Sequence, residues 1–152
     1  MSSFSGLIES LPIATPVALS DAQAMVHSVG CRIQAGFPSP AEDHRTKRID
    51  LTEILITHPQ ATYLMRVGGD SMREAGIHDG DVLVVDRAIK PRHNHIVVAV
   101  VDSEFTVKYL HQRAGRIKLK PANPTFPEIV PKDGQTVEIW GVVTSAIKRF
   151  QV

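Results

Sequence analysis

Ser71 closes the stretch Gly68-Gly69-Asp70-Ser71, and Lys108 closes Phe105-Thr106-Val107-Lys108. A serine hydroxyl becomes an effective nucleophile when a neighbouring base takes its proton in the transition state, and a lysine amine can be that base. Together the two residue types point to attack on a carbonyl carbon, and so to peptide-bond hydrolysis. A candidate bond lies in the same chain. Ala35-Gly36 is small on both sides and precedes the stiff segment Phe37-Pro38-Ser39-Pro40. The chain is expected to cut itself there.

The lysine has to be made neutral before it can act. A free lysine, with a pKa of about 10.4, is uncharged in roughly one molecule in 2500 at pH 7. Lowering that value by three units costs about 4 kcal/mol of charged-state stabilisation, which burial can supply. Phe105, Val107, Tyr109 and Leu110 offer apolar surroundings. In a strand, Thr106 shares a face with Lys108, so its hydroxyl falls near the amine. The turn that presents Ser71 is expected to aim backbone N–H groups, those of Asp70 and Ser71, at the developing oxyanion.

These residues need a scaffold, and the sequence predicts a mainly β one. Thr62 to Val67 alternates bulky and polar residues and delivers Gly68-Gly69-Asp70-Ser71 at its end. Further strands are expected over 81–86, 96–101, 105–111, 116–120 and 137–150. Asp79-Gly80, Asp102-Ser103, Ala114-Gly115 and Asp133-Gly134 separate them as turns. Short strands so regularly punctuated suit a barrel or small sandwich. Asp50 and Glu53 form a capping signature, with Leu51, Ile54 and Leu55 at helical spacing before Pro59. Another helix is expected from Ser20, capped with Gln23, carrying Ala22, Met25, Val26 and Val29 on one side and ending at Gly30. The segment through Pro38 and Pro40 is expected to be extended. Residues 1–45 are predicted to be an N-terminal arm holding the cleavage bond, and 46–152 the β-rich peptidase domain.

Composition narrows the function classes. A chain of 152 residues with 43% hydrophobic content suits one core plus an arm. A formal net charge of +1 gives no broad field for sequence-independent nucleic-acid binding. Cys31 is the lone cysteine and cannot close an internal disulfide, which fits a reducing compartment; a cytoplasmic location is expected. Glu9, Pro12 and Pro16 interrupt the first twenty residues, so the signal-peptide pattern is absent, and no apolar run approaches the roughly 20 residues that span a bilayer. Membrane-anchored signal peptidases, which also use serine and lysine, are thereby disfavoured.

Other candidates carry less. His93 and His95 would share a strand face, but no third ligand follows at zinc-like spacing, so neither a metal nor another cofactor is expected. His93-Asn94-His95 spells part of a nuclease motif without its ββα context. Cys31 is expected to be an ordinary arm residue. Arg113, Arg116, Lys118 and Lys120 form a basic strip best explained as a solvated strand face.

The residues resemble those of the UmuD family, relatives of LexA and the self-cleaving phage repressors. The resemblance is carried by Gly36-Phe37-Pro38-Ser39-Pro40-Ala41, Arg48-Ile49-Asp50-Leu51, Gly69-Asp70-Ser71-Met72, Asp79-Gly80-Asp81, Glu104-Phe105-Thr106-Val107-Lys108 and Gly141-Val142-Val143. It runs from Gly36 to near the C-terminus, with cleavage bond, serine and lysine in the family's order. It implies Ser71 as nucleophile, Lys108 as general base, Ala35-Gly36 as the bond cut, and a LexA/signal-peptidase-like β domain. It also implies a homodimer whose arm is removed when a RecA filament on single-stranded DNA stimulates cleavage. The trimmed form would then join a UmuC-type Y-family polymerase in error-prone synthesis past DNA lesions. Ala35 stands where the best-known member has cysteine, and alanine is small enough for the same pocket. Residues 1–30 are longer than the usual family arm and match it poorly. A LexA-type repressor needs a DNA-binding domain upstream of its cleavage bond, and residues 1–35 are too few for one, so direct operator binding is not expected. The competing reading is a non-catalytic β module that only binds, its serine and lysine idle.

Overall fold

The computed structural model describes residues 17–18, 25–29, 33–38 and 46–152. The chain divides into two compact units, Asp21–Thr57 and a second made of Met1–Ser20 with His58–Val152.

In the larger unit, seven antiparallel strands form one sheet. In chain order they are β1 (Val17–Ala18), β4 (Thr62–Arg66), β5 (Val82–Asp86), β6 (Ile96–Val101), β7 (Glu104–Arg113), β8 (Arg116–Lys120) and β9 (Val137–Ile147). In space they lie in the order β1-β4-β5-β9-β6-β7-β8. The five strands expected after Ser71 are present, with no end shifted by more than three residues, as is the strand leading to it. Alternation explains the two cores. Val98 joins Met65, Val67, Met72, Ile77, Leu83 and Val85 on one side, while its neighbours Val97 and Ala99 join Leu110, Leu119 and Val142 on the other. Every residue of β5 is buried, as expected of a strand covered on both faces.

The last strand, β9, joins the two halves by pairing with β5 and β6. Its register slips opposite Val84/Val85 and again opposite Val98/Ala99, and such bulges bend a strand. Between these irregularities the backbone passes so close to β5 that a Cβ on Gly141 would lie 2.6 Å from Val85 Cγ1, which explains a glycine in mid-strand. Beside it, the Trp140 ring receives Tyr63 and Phe105 edge-on at 5.2 and 5.6 Å and carries the Arg87 guanidinium at 4.4 Å. This cluster buttresses the start of β7.

The smaller unit contains an antiparallel pair, β2 (Met25–Val29) with β3 (Thr46–Asp50), followed by the helix α1 (Leu51–Leu55). Asp50 caps α1, accepting the Thr52 N–H at 3.0 Å and its hydroxyl at 2.6 Å, as the capping signature predicts. The helix expected over 20–30 is corrected: Met25–Val29 is a strand in register with β3 from Met25↔Asp50 to Val29↔Thr46. Five residues with two β-branched valines gain more from a ladder than from an isolated turn and a half of helix. The rest of that expected helix, Cys31 and the Ser39-Pro40 part of the extended segment lie outside the described residues. Among the described residues no helix is long and apolar enough to cross a membrane.

Candidate active site

The backbone tethers on either side of Ser71 hold it at the end of β4. Val67 donates to Asp81 O and accepts from Gly80 N, both at 2.8 Å, so the strand pairing continues one residue past Arg66. Gly69 then turns at φ +90°, where a side chain is disfavoured, and its N–H donates to Asp79 Oδ1 at 2.8 Å. After the turn, Met72 is 1% exposed and anchors the segment in the core. The loop at 122–123 completes the fixation. Ala122 N donates to Ser71 O at 2.8 Å, Ala122 O accepts from Glu74 N at 2.7 Å, and Asn123 Nδ2 donates to Asp70 O at 3.0 Å.

Lys108 comes from β7 and is 7% exposed. Its Nζ lies 2.8 Å from Ser71 Oγ, 2.8 Å from Thr106 Oγ1 and 3.0 Å from Val107 O. Among the described residues no carboxylate pairs with it. Burial without a counter-ion penalises the ammonium, so the amine is held below the ordinary lysine value. A neutral amine has two N–H donors and one lone pair. Thr106 Oγ1 and Val107 O can take the donors, leaving the lone pair for the Ser71 hydroxyl proton.

A cavity of about 320 Å³ opens over the pair. Met65, Leu83, Val98, Phe105 and Phe126 give it an apolar lining, and Asp70 and Ser71 line it as well. Neither the Asp70 nor the Ser71 N–H has an acceptor among the described residues.

The structure thus brings together Ser71, Lys108, Thr106 and the Asp70–Ser71 backbone. Ala35 and Gly36 belong to the smaller unit and are exposed, as are Ile33 and Phe37, each 95% exposed. Sequence reasoning missed Asp79, Ala122, Asn123 and Phe126. A turn signal was present in Asn123-Pro124-Thr125, but nothing local reveals that it meets a backbone carbonyl 53 residues earlier.

The expectation that His93 and His95 share a strand face is also corrected. Both lie in the turn before β6, where Asn94 has φ 69°. His93 Nδ1 accepts from Gln112 N at 3.0 Å and its ring meets His111 edge-on at 4.8 Å, while His95 Nδ1 accepts from Arg92 N at 3.1 Å. Each imidazole is engaged in holding the turn. The basic strip lies on the β7–β8 hairpin, where Arg113 faces Arg116 and Glu128 lies 3.3 Å from Lys118 and 3.7 Å from Lys120.

Comparison with known proteins identifies a family. Residues 26–144 match the Peptidase S24-like family model. Protein MucA of Salmonella typhimurium is 48% identical over 132 residues, covering 84% of this chain and 90% of that protein. Protein ImpA of Escherichia coli is 48% identical over 120 residues, covering 78% and 80%. The LexA repressor of Paracidovorax citrulli is 40% identical over 126 residues, covering 83% of this chain but 55% of the repressor. A mainly β chain with this match over most of its length belongs to the Peptidase S24-like family, among its UmuD-type members.

Proposed function

We propose that this chain is a self-cleaving serine endopeptidase in which Ser71 is the nucleophile, Lys108 the general base and Ala35-Gly36 the bond cut. The observation that carries the reading is the 2.8 Å approach of Lys108 Nζ to Ser71 Oγ, made by a buried lysine with which no carboxylate pairs among the described residues. Family membership supports peptidase chemistry of this type.

The steps follow from the groups present. Neutral Lys108 takes the Ser71 proton as Oγ attacks the Ala35 carbonyl carbon, and the resulting oxyanion is received by the Asp70 and Ser71 N–H groups. The C–N bond then breaks, and Lys108 returns the proton to the departing Gly36 amine. An ester joins Ala35 to Ser71. Water attacks it with Lys108 again as base, freeing the Ala35 carboxylate and the Ser71 hydroxyl.

Residues 1–45 serve in this reading as the regulatory arm and 46–152 as the peptidase domain. Because the substrate is covalently attached or held by a second copy, its local concentration is high and regulation falls on docking. A RecA filament on single-stranded DNA would favour the docked arrangement. Moving a population from 1% to 99% docked takes about 5.5 kcal/mol of differential affinity. The trimmed chain, starting at Gly36, would act in the cytoplasm as a homodimer joined to a UmuC-type polymerase in lesion bypass. The likeness to MucA, ImpA and LexA supports partners of the DNA-damage response in general, and the named ones remain part of the proposal.

Intact-mass measurement after incubation at raised pH tests this. Fragments ending at Ala35 and beginning at Gly36, absent in Ser71→Ala, are expected. A chain that stays whole under alkali and under RecA, single-stranded DNA and ATP would instead favour the non-catalytic binding module.

A further inference from the structure

Asn123 makes three polar contacts through its side chain. Its Oδ1 accepts the Thr125 N–H at 3.1 Å and the Thr125 hydroxyl at 2.8 Å, which leaves Nδ2 to donate to Asp70 O at 3.0 Å. The amide orientation is set by chemistry, because the two Thr125 donors demand an oxygen on that side. The backbone bond from Phe126 N to Asn123 O, 3.1 Å, closes the turn that carries Asn123.

The carbonyl that Asn123 holds belongs to the same peptide unit as the Ser71 N–H. No peptide bond described is cis, and in a trans peptide C=O and N–H point in opposite directions. Holding Asp70 O therefore aims the Ser71 N–H away from Asn123. That N–H has no acceptor among the described residues, and Ser71 lines the cavity. Arg73 N also donates to Asp70 O, at the longer distance of 3.2 Å. The next carbonyl, Ser71 O, is tied to Ala122 N, the neighbour of Asn123.

We infer that Asn123 is a positioning residue for the oxyanion hole, its side-chain amide clamping the Asp70–Ser71 peptide so that the Ser71 N–H meets the tetrahedral intermediate. The inference rests on Ser71 being the nucleophile. It assigns to the 122–126 turn a part in transition-state stabilisation, distinct from the proton transfer performed by Lys108. The consequence is a separation of effects. Loss of the clamp lowers the rate even when the amine is neutral, whereas changes around Lys108 move the pH at which the rate rises.

Asn123→Asp is the informative variant. It keeps an oxygen for the two Thr125 donors but replaces the donor to Asp70 O with an acceptor. Thr125→Val is its control, because it removes one contact to Asn123 Oδ1 and leaves Nδ2 in place. Self-cleavage of the full-length chain is followed by intact mass from about pH 7 to above the lysine range of about 10.4, and rates are compared on the alkaline plateau, where a new carboxylate cannot act by holding a proton on Lys108. Asn123→Asp is expected to lower the plateau about 10- to 100-fold, somewhat less than deletion of an oxyanion donor, with Thr125→Val within about threefold of wild type. A plateau unchanged in Asn123→Asp overturns the inference, and so does an equal loss in Thr125→Val, which would mark the turn rather than the donor as important. Should cleavage persist in Ser71→Ala, the assignment of the nucleophile fails separately. The clamp is then judged by the Ser71 amide resonance of the full-length chain, where an unmoved ¹H–¹⁵N shift in Asn123→Asp overturns it and a displaced one supports it.

Discussion

The segment around Ser71 and the segment around Ala35 differ in what holds them. From Val67 to Gly76 the backbone is tied to residues 79–81 and 122–123 as well as to itself, and Met72 fixes it in the core. From Ile33 to Pro38 every residue is exposed, and a Cβ on Gly36 would meet nothing within 4 Å. Catalysis needs donors and base held in place before the reaction, whereas a bond to be cut needs an accessible carbonyl and room to bend. Under the proposed function, this contrast puts control in delivery of the bond, since Ser71 and Lys108 are already in hydrogen-bonding contact.

Substitutions at the two segments sharpen or break that contrast. The largest effect is expected from Ser71→Ala, which removes the proposed nucleophile and should lower self-cleavage by about 10⁶-fold, to below detection by intact mass. Lys108→Met should cost at least about 10³-fold and abolish the rise of rate with pH, because it removes the buried amine in contact with Ser71 Oγ. Met72→Ala should destabilise the chain by about 2–5 kcal/mol in denaturant unfolding, the range for emptying a core site. Thr106→Val removes one partner of Nζ. The hydroxyl stabilises the ammonium more than the amine, so its loss should move the pH–rate midpoint downward, while looser placement lowers the plateau about tenfold. The smallest effect belongs to the exposed segment: Phe37→Ala should change stability by less than about 0.5 kcal/mol. A large loss there would show that 33–38 is held as firmly as the Ser71 loop.

The lysine also links the site to stability. Its value is lowered in the folded chain by burial, so the native state binds fewer protons than the unfolded state between the folded and the unfolded pKa. Stability from this group therefore rises with pH through that window and is complete above the ordinary lysine value. Below the folded pKa the buried ammonium is a cost. Lys108→Met should accordingly raise stability at neutral pH, on the order of 1 kcal/mol, with the advantage shrinking as pH approaches the ordinary lysine value. Such a gain with loss of activity is what a site built at the expense of stability predicts.

Strand and turn chemistry made most of the larger unit legible. Asp79-Gly80 and Ala114-Gly115 turn where glycine φ is positive, at 86° and 75°, and the alternation in 62–67 placed Ser71 at a strand end. Ser71 and Lys108 were legible as chemical types, and the strand periodicity brought Thr106 to the amine. What escaped depends on contacts distant in sequence. Met25–Val29 has a helical spacing that pairing with Thr46–Asp50 overrides, and a strand of five residues carries too little periodicity to signal this alone. His93 and His95 alternate as in a strand, yet ring-nitrogen bonds to backbone N–H groups hold them in a turn. Asn123 is not singled out by the sequence, and its bond to Asp70 O appears only when the chain has folded.

The claim on which the mechanism rests is that Lys108 becomes a neutral base at the pH where cutting begins. Its titration can be followed by the ¹³Cε and ¹⁵Nζ resonances of the full-length Ser71→Ala chain, and set against the pH–rate profile of wild-type self-cleavage. The account predicts one shared midpoint below the ordinary lysine value of about 10.4. A Lys108 that titrates at the ordinary value while cleavage proceeds at lower pH would contradict it.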